Sequence, residues 1–345
     1  MLKERTARPF LIALLILAVA LVLSVMVGSV FIPPGDLFIV LKAALQGQTP
    51  SSPELGTFTT ILFSIRLPRT VLIAMTGAAL ACSGSAYQGL FRNPLADPYL
   101  IGVASGAGLG AVAAMSLRWP YTTLGLLAVP LAAFSGGLLT VWIVYVLARM
   151  GRTLPVTNLI LAGVAMSSFA TALTTFLMLN STGELRRALV WLLGGSTLSG
   201  WQPVIALMPY WLVGLGALIT TGHALNVMQF GDEQAQQLGL PVTRVRRLII
   251  IVASLTTAAA VAFVGVIGFV GLIVPHILRL LVGGDYRRLM PLALLGGAAF
   301  LLLADVLARV IMAPQELPVG VITALAGAPF FLWVLRRTRQ QNLWG

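Results

Sequence analysis

The ionisable residues of this 345-residue chain are few enough to weigh one by one, because charged residues make up only 9% of it. Asp305 lies inside an uncharged window four residues before Arg309, so on a helix the two side chains share a face and neutralise one another. A proton relay would need more carboxylates at that depth. His223 and His276 stand far apart, with neither an HExxH pattern nor paired carboxylates beside them, which leaves metal and acid–base catalysis without a residue set. We read both as structural, His223 at an interface and His276 packing or capping after Pro275. Lys3 and Lys42 do not follow glycines, so there is no GxxxxGK[ST] loop to cradle nucleotide phosphates, and the chain cannot hydrolyse ATP by itself. Cys82, the single cysteine, reads as a small packing residue. No catalytic, cofactor or metal residues are expected, and the chain does not read as an enzyme.

The surrounding elements follow from hydropathy. The chain is 58% hydrophobic with a mean hydropathy of +0.97, which excludes a soluble domain. Uncharged windows recur at or above the roughly 20 residues a helix needs to cross hydrocarbon. They predict an all-α polytopic membrane protein, a single transmembrane domain over 1–345, with ten spans near 10–31, 67–88, 99–117, 122–148, 157–179, 201–222, 247–265, 267–283, 290–311 and 319–336. The 188–200 stretch is left as a short extra helix. The run from Phe10 to Val30 is too long for a signal peptide and reads as a retained first span. The net charge of +12 flanks the apolar windows instead of clustering, which argues for membrane lipid and against nucleic acid as a partner.

Ten spans put both termini on one side. If that side is cytoplasmic, it holds Lys3, Arg5, Arg8, Arg92, Arg149, Arg152, Arg244, Arg246, Arg247, Arg279, Arg287, Arg288, Arg336, Arg337 and Arg339. The outer side holds Lys42, Arg66, Arg69, Arg118, Arg186, Arg187 and Arg309, a bias of about two to one that supports both termini inside. Arg66, Arg69 and Arg309 run against the rule and need another explanation. Gly102, Gly106 and Gly110 form a stripe for close helix packing, and Pro130, Pro155, Pro203, Pro209, Pro275, Pro291 and Pro329 mark kinks, breaks or simple helix ends.

The longest internal polar stretch runs from Gly231 to Pro241 and on through Arg244, Arg246 and Arg247. Asp232 and Glu233 suit a helix N-terminus, Gly239 a position just past a helix end, and Pro241 the start of the next helix. A soluble partner could grip this segment on the cytoplasmic face; the plainer alternative is a connecting loop.

Ordered motifs along the chain now carry a resemblance. Arg66-Leu67-Pro68-Arg69-Thr70, Gln88-Gly89-Leu90-Phe91-Arg92-Asn93-Pro94-Leu95-Ala96-Asp97-Pro98, Gln237-Leu238-Gly239-Leu240, Gly268 to His276 and Glu316-Leu317-Pro318-Val319-Gly320 resemble the FecCD-type permeases, membrane subunits of importers for iron complexes, haem and vitamin B12. The resemblance covers residues 10 to 337. It implies a type II ABC importer permease fold of ten helices in the cell (inner) membrane, a homodimer around a central pathway, two ATP-binding subunits below and a substrate-binding protein above. ATP and magnesium would sit on the partner subunits, with no cofactor on this chain. It also implies roles. Asn93, Pro94 and Leu95, with Pro155, Val156 and Thr157, match the cytoplasmic gate, although the family has small hydroxyl residues where this chain has Pro155-Val156. Asp232, Glu233, Gln237, Leu238, Gly239 and Leu240, within a coupling segment at 223–247, match the ATPase contact. Arg66, Arg69 and Arg309 match the docking arginines for the binding protein, with snorkelling at the interface as the alternative. The function expected is ATP-driven import of an iron complex or cobalamin. The rival is a stand-alone secondary transporter, which would require intramembrane ionisable groups beyond Asp305.

Overall fold

The computed structural model describes residues 2–28, 30–48, 52–117, 123–151, 154–180, 184–195 and 200–342. Arg118, Arg152 and residues 196–199 of the expected extra helix lie outside the described residues. The described residues form helices and connecting turns, with no β-strand among them. In chain order the helices are α1 (Leu2–Met26), α2 (Pro34–Leu45), α3 (Pro53–Thr60), α4 (Leu67–Phe91), α5 (Val103–Ser116), α6 (Thr123–Ala148), α7 (Val156–Asn180) and α8 (Leu185–Leu192). They continue with α9 (Gln202–Thr220), α10 (Gly222–Met228), α11 (Asp232–Gln237), α12 (Val242–Val264), α13 (Val270–Val282), α14 (Tyr286–Val310) and α15 (Val319–Asn342). A π-helical turn, Ile61–Arg66, joins α3 to α4.

The ten expected spans correspond to α1, α4 to α7, α9 and α12 to α15. Among the described residues, seven helical segments are long and apolar enough to cross a membrane, and α5, α13 and the Val319–Val334 part of α15 are shorter apolar helices. The first span ends earlier than expected, at Met26, and the chain then lays down α2 and α3, which the sequence reading left as loop. Both are short and carry charge, Asp36 and Lys42 in one and Glu54 in the other, so neither gives a spanning-length signal. Their starts are nevertheless locally encoded: proline opens each, and Ser52 Oγ accepts from Leu55 N at 3.3 Å.

Helix direction follows from two contacts. The carbonyls at the end of α1 accept from Arg309 near the end of α14, so α1 and α14 run parallel. Helix α15 returns after α14, which places Leu2 and Asn342 at one end of the bundle, here the terminal end, and the α1–α2 and α14–α15 connections at the far end. Helix α4 runs from the far end to the terminal end as the central element, buried almost continuously from Leu72 to Phe91.

Glycine allows the tightest crossings. Gly77 of α4 and Gly297 of α14 each face the other's carbonyl oxygen so closely that a methyl group at either would overlap it. The Gly106 and Gly110 stripe of α5 lies in the same way against Gly136 and Ala132 of α6.

The prolines inside α6, α9, α13, α14 and α15 do not interrupt those helices. The break comes at 265–269 instead, between Gly265 at φ +82° and Phe269 at φ +70°. Its backbone lies within the bundle, where unsatisfied polar groups are costly. Tyr99 Oη donates to Ile267 O at 2.9 Å and lies 3.3 Å from the Ile267 N–H, while Gln88 Nε2 donates to Gly271 O at 3.2 Å.

Candidate functional site

At the far end, one buried carboxylate holds two of three clustered arginines. Asp305 on α14 is fully buried; its Oδ1 accepts from Arg69 Nε and Nη2 at 3.1 and 2.9 Å, and its Oδ2 pairs with Arg309 Nε at 3.0 Å. Arg69 reaches outward as well, where Nη1 donates to Glu316 Oε2 at 2.6 Å. The other two arginines turn inward onto the end of α1. Arg66 donates to the carbonyls of Val25, Met26 and Val30, and Arg309 donates to Ser24 O and Val27 O and to Ser24 Oγ.

The last carbonyls of a helix have no intrahelical partner, and positive charge is favoured there. This accounts for two of the three arginines that run against the positive-inside expectation: Arg66 and Arg309 cap α1. Of the three arginines expected to dock a binding protein, Arg66 and Arg309 are 5% and 4% exposed, whereas Arg69, with a side chain 32% exposed, faces outward. Asp305 does more than offset Arg309, since it holds Arg69 too. Beside Arg69, Asp305 and Glu316 opens a cavity of ≈ 250 Å³ that Gly194, Val264 and Pro318 help to line.

At the terminal end lie the segments matched to gate and coupling roles. Asn93, Pro94 and Leu95 follow α4 directly, where Arg92 turns the chain at φ +49°. Asn93 Oδ1 accepts from Leu95 N at 2.9 Å, which folds the loop over itself and leaves the Leu95 side chain 44% exposed. Pro155 and Val156 are half-buried at the start of α7, and Thr157 is exposed. Arg246 of α12 and Asp232 of α11 stand between the two segments, Arg246 bonding Leu154 O and Asp232 pairing with Arg246 and Arg92.

The segment from Gly231 to Pro241 folds as its punctuation indicates. Helix α11 begins at Asp232, Leu238 caps it, Gly239 follows at φ +84°, and Pro241 precedes α12. The Leu240 N–H returns to Ala235 O at 3.0 Å. Ala235 is fully buried against the core, whereas Glu233, Gln237, Leu238 and Gly239 are exposed and Leu240 is half-buried. Phe230, just before α11, is 69% exposed and Leu238 is 68% exposed, so two large apolar side chains flank an otherwise polar helix. The sequence reading passed over Phe230, although an aromatic at the edge of the longest polar stretch was a usable signal. It also counted Arg92 and Arg246 only as topology charges.

His223 is exposed on α10, and the His276 ring meets Phe330 edge-on at 5.8 Å. Asp285 caps α14 by accepting from Arg287 N, and the Arg287 side chain with Asn226 holds its carboxyl down at about 2.

The described residues form a multi-pass helical bundle, the architecture of a membrane permease of ABC type. Residues 16–337 match the FecCD transport family, and the chain belongs to that family. It is 42% identical over 97% of its length to the uncharacterized ABC transporter permease protein YvrB of Bacillus subtilis, covering 95% of that protein. It is 46% identical over 88% of its length to the cobalamin import system permease protein BtuC of Halobacterium salinarum, covering 80% of that protein. The fold superposes with a TM-score of 0.80 on a solved metal-chelate type ABC transporter in an inward-facing conformation, at 29% identity, covering 96% of this chain and 99% of the other.

Proposed function

We propose that this chain is the transmembrane subunit of an ATP-driven importer for metal chelates, the class that includes iron–siderophore complexes, haem and cobalamin. The observation that carries the reading is the exposed α11 segment, a capped helix flanked by Phe230 and Leu238, on a family-matched bundle without a nucleotide loop of its own. In this reading two copies form the pathway in the cell membrane with the terminal end in the cytoplasm, and two ATP-binding subunits seat on α11. A substrate-binding protein docks at the far end on Arg69, with Arg66 and Arg309 fixing the surface from behind. Nucleotide binding closes the ATPase pair, moves α11, and exchanges outward and inward openings at Asn93-Pro94-Leu95 and Pro155-Val156-Thr157. The chain carries its cargo unchanged and holds no cofactor. A conduit must bind its cargo weakly enough to release it, which suits apolar and small polar lining residues.

Reconstitution in proteoliposomes tests this. Uptake of cobalamin, haem or an iron chelate should require ATPase subunits, binding protein and ATP, and should ignore an imposed proton or sodium gradient. Gradient-driven uptake by the chain alone would establish the secondary-transporter reading instead.

A further inference from the structure

Helix α11 buries Ala235 against the core and ties its head to the bundle through the carboxylate of Asp232. Asp232 Oδ2 accepts from Arg246 Nη2 at 2.6 Å, and its Oδ1 lies 3.8 Å from Arg92 Nη2. Arg246 projects from the first turns of α12, its side chain only 9% exposed, and its other terminal nitrogen, Nη1, donates to Leu154 O at 3.0 Å. Leu154 immediately precedes Pro155-Val156, and Arg92 immediately precedes Asn93-Pro94-Leu95. A single acid at the head of α11 is therefore tied to both segments matched to the gate, one through Arg246 and one through Arg92.

The chemistry suits a mechanical link more than a simple brace. A guanidinium offers two terminal nitrogens in a rigid plane, so a shift of Asp232 that rotates the Arg246 fork must also move its bond to Leu154 O. The pairing with Arg92 is longer and more exposed, with side chains 46% and 36% exposed, and so is the weaker connection. Arg246 Nε is buried without a hydrogen-bond partner, so the fork is held by its tips alone. Gly231 at φ +106°, directly before Asp232, supplies a backbone conformation at which α11 can pivot.

We infer that Arg246 is a positioning residue for transport, coupling movement of α11 to the gate segments at 93–95 and 155–157 through Asp232 and Leu154. The inference rests on the importer reading above, and deepens it by naming the internal connection between nucleotide-driven movement and the gate.

The test uses the complete complex of this chain with its ATPase subunits and binding protein in proteoliposomes, and follows two quantities. One is substrate moved per ATP hydrolysed. The other is the rate at which a membrane-impermeant maleimide labels Leu95→Cys with and without trapped nucleotide; Cys82 is fully buried and leaves the background silent. Loss of a charge-assisted bond at Asp232→Asn or Arg246→Gln should lower substrate per ATP about tenfold and flatten the nucleotide dependence of labelling. Arg246→Lys keeps the charge but not the two-pronged geometry, and should fall between wild type and Arg246→Gln. Wild-type coupling and nucleotide-dependent labelling in Asp232→Asn and Arg246→Gln would overturn the inference. So would Arg246→Lys restoring assembled complex to wild-type level while leaving coupling as low as in Arg246→Gln and labelling still nucleotide-dependent. Failure of wild-type complex to take up substrate with ATP would instead remove the importer reading itself.

Discussion

Arg69 and Asp305, 236 residues apart, meet at the far end of the bundle through two hydrogen bonds to one carboxylate oxygen. The second oxygen faces Arg309, whose remaining nitrogens hold the end of α1. Three spans, α1, α4 and α14, are thus joined through one buried acid. Removing one member of a buried charge pair costs about 3–5 kcal/mol, because the partner is left uncompensated. Asp305→Asn, nearly the same shape, should lower the thermal unfolding midpoint in detergent by that order. The double variant Asp305→Leu with Arg309→Met should lose less than Arg309 left alone. A change below about 1 kcal/mol in Asp305→Asn would mean that water or lipid headgroups already satisfy Arg309.

The outer half of the same cluster behaves differently. Glu316 is 42% exposed and Arg69 32%, so their pair contributes only about 0–1 kcal/mol to stability. Glu316 nevertheless occupies the guanidinium face that an acidic partner would use. Glu316→Gln should leave the unfolding midpoint nearly unchanged yet speed association of the binding protein, and Arg69→Glu should slow it. Both effects should shrink at high salt, as measured by surface plasmon resonance on reconstituted importer. Equal association rates in wild type and both variants would take Arg69 out of the docking surface.

Gly239 isolates a backbone effect. It sits at φ +84° with no heavy atom within 4 Å of where a Cβ would be, so substitution meets no steric neighbour and acts through conformation alone. Gly239→Val should cost roughly 1–2 kcal/mol in the turn after α11, and Gly239→Asn less, because asparagine tolerates the left-handed region. Substrate moved per ATP should fall in the order wild type, Asn, Val while complex assembly persists. Equal coupling in all three would show that the turn after α11 does not transmit nucleotide-driven movement.

The spans were legible because their signal is local: length, hydropathy and flanking charge. The α11 turn was legible for the same reason, with Asp232, Glu233, Gly239 and Pro241 each marking a boundary by its own backbone preference. What stayed hidden was long-range. Arg66 was visible as a charge on the wrong side, but its partners are main-chain carbonyls of residues 25, 26 and 30, which no side-chain pattern advertises. Arg246 stood in a run of three arginines, and only the fold brings Leu154 O to it across 92 residues. Helices α2 and α3 lacked both the length of a span and a partner face recognisable in sequence.

Asp97, in the turn between α4 and α5 just past Leu95, supplies a test by pH. Its Oδ1 accepts from Tyr99 N at 2.8 Å, which favours the ionised form, but burial outweighs that bond and raises the carboxyl from the usual carboxylate range to about 6. In the unfolded chain the group titrates near the ordinary value of about 4. Between about pH 4 and 6 the folded state therefore holds a proton that the unfolded state has released, and stability falls as pH rises through that window. Above about 6 both states are ionised and the cost is fully present; below about 4 both are protonated and it vanishes. Asp97→Asn keeps an oxygen for Tyr99 N–H without the charge. It should raise the unfolding midpoint at pH 8 by an amount on the order of 1 kcal/mol, and its advantage should shrink across pH 6 to 4 and disappear below. Unfolding followed by tryptophan fluorescence at pH 8, 6 and 4 measures this directly. A wild-type-to-variant difference that stays constant over that range would show that Asp97 is ionised throughout and that its burial carries no proton linkage.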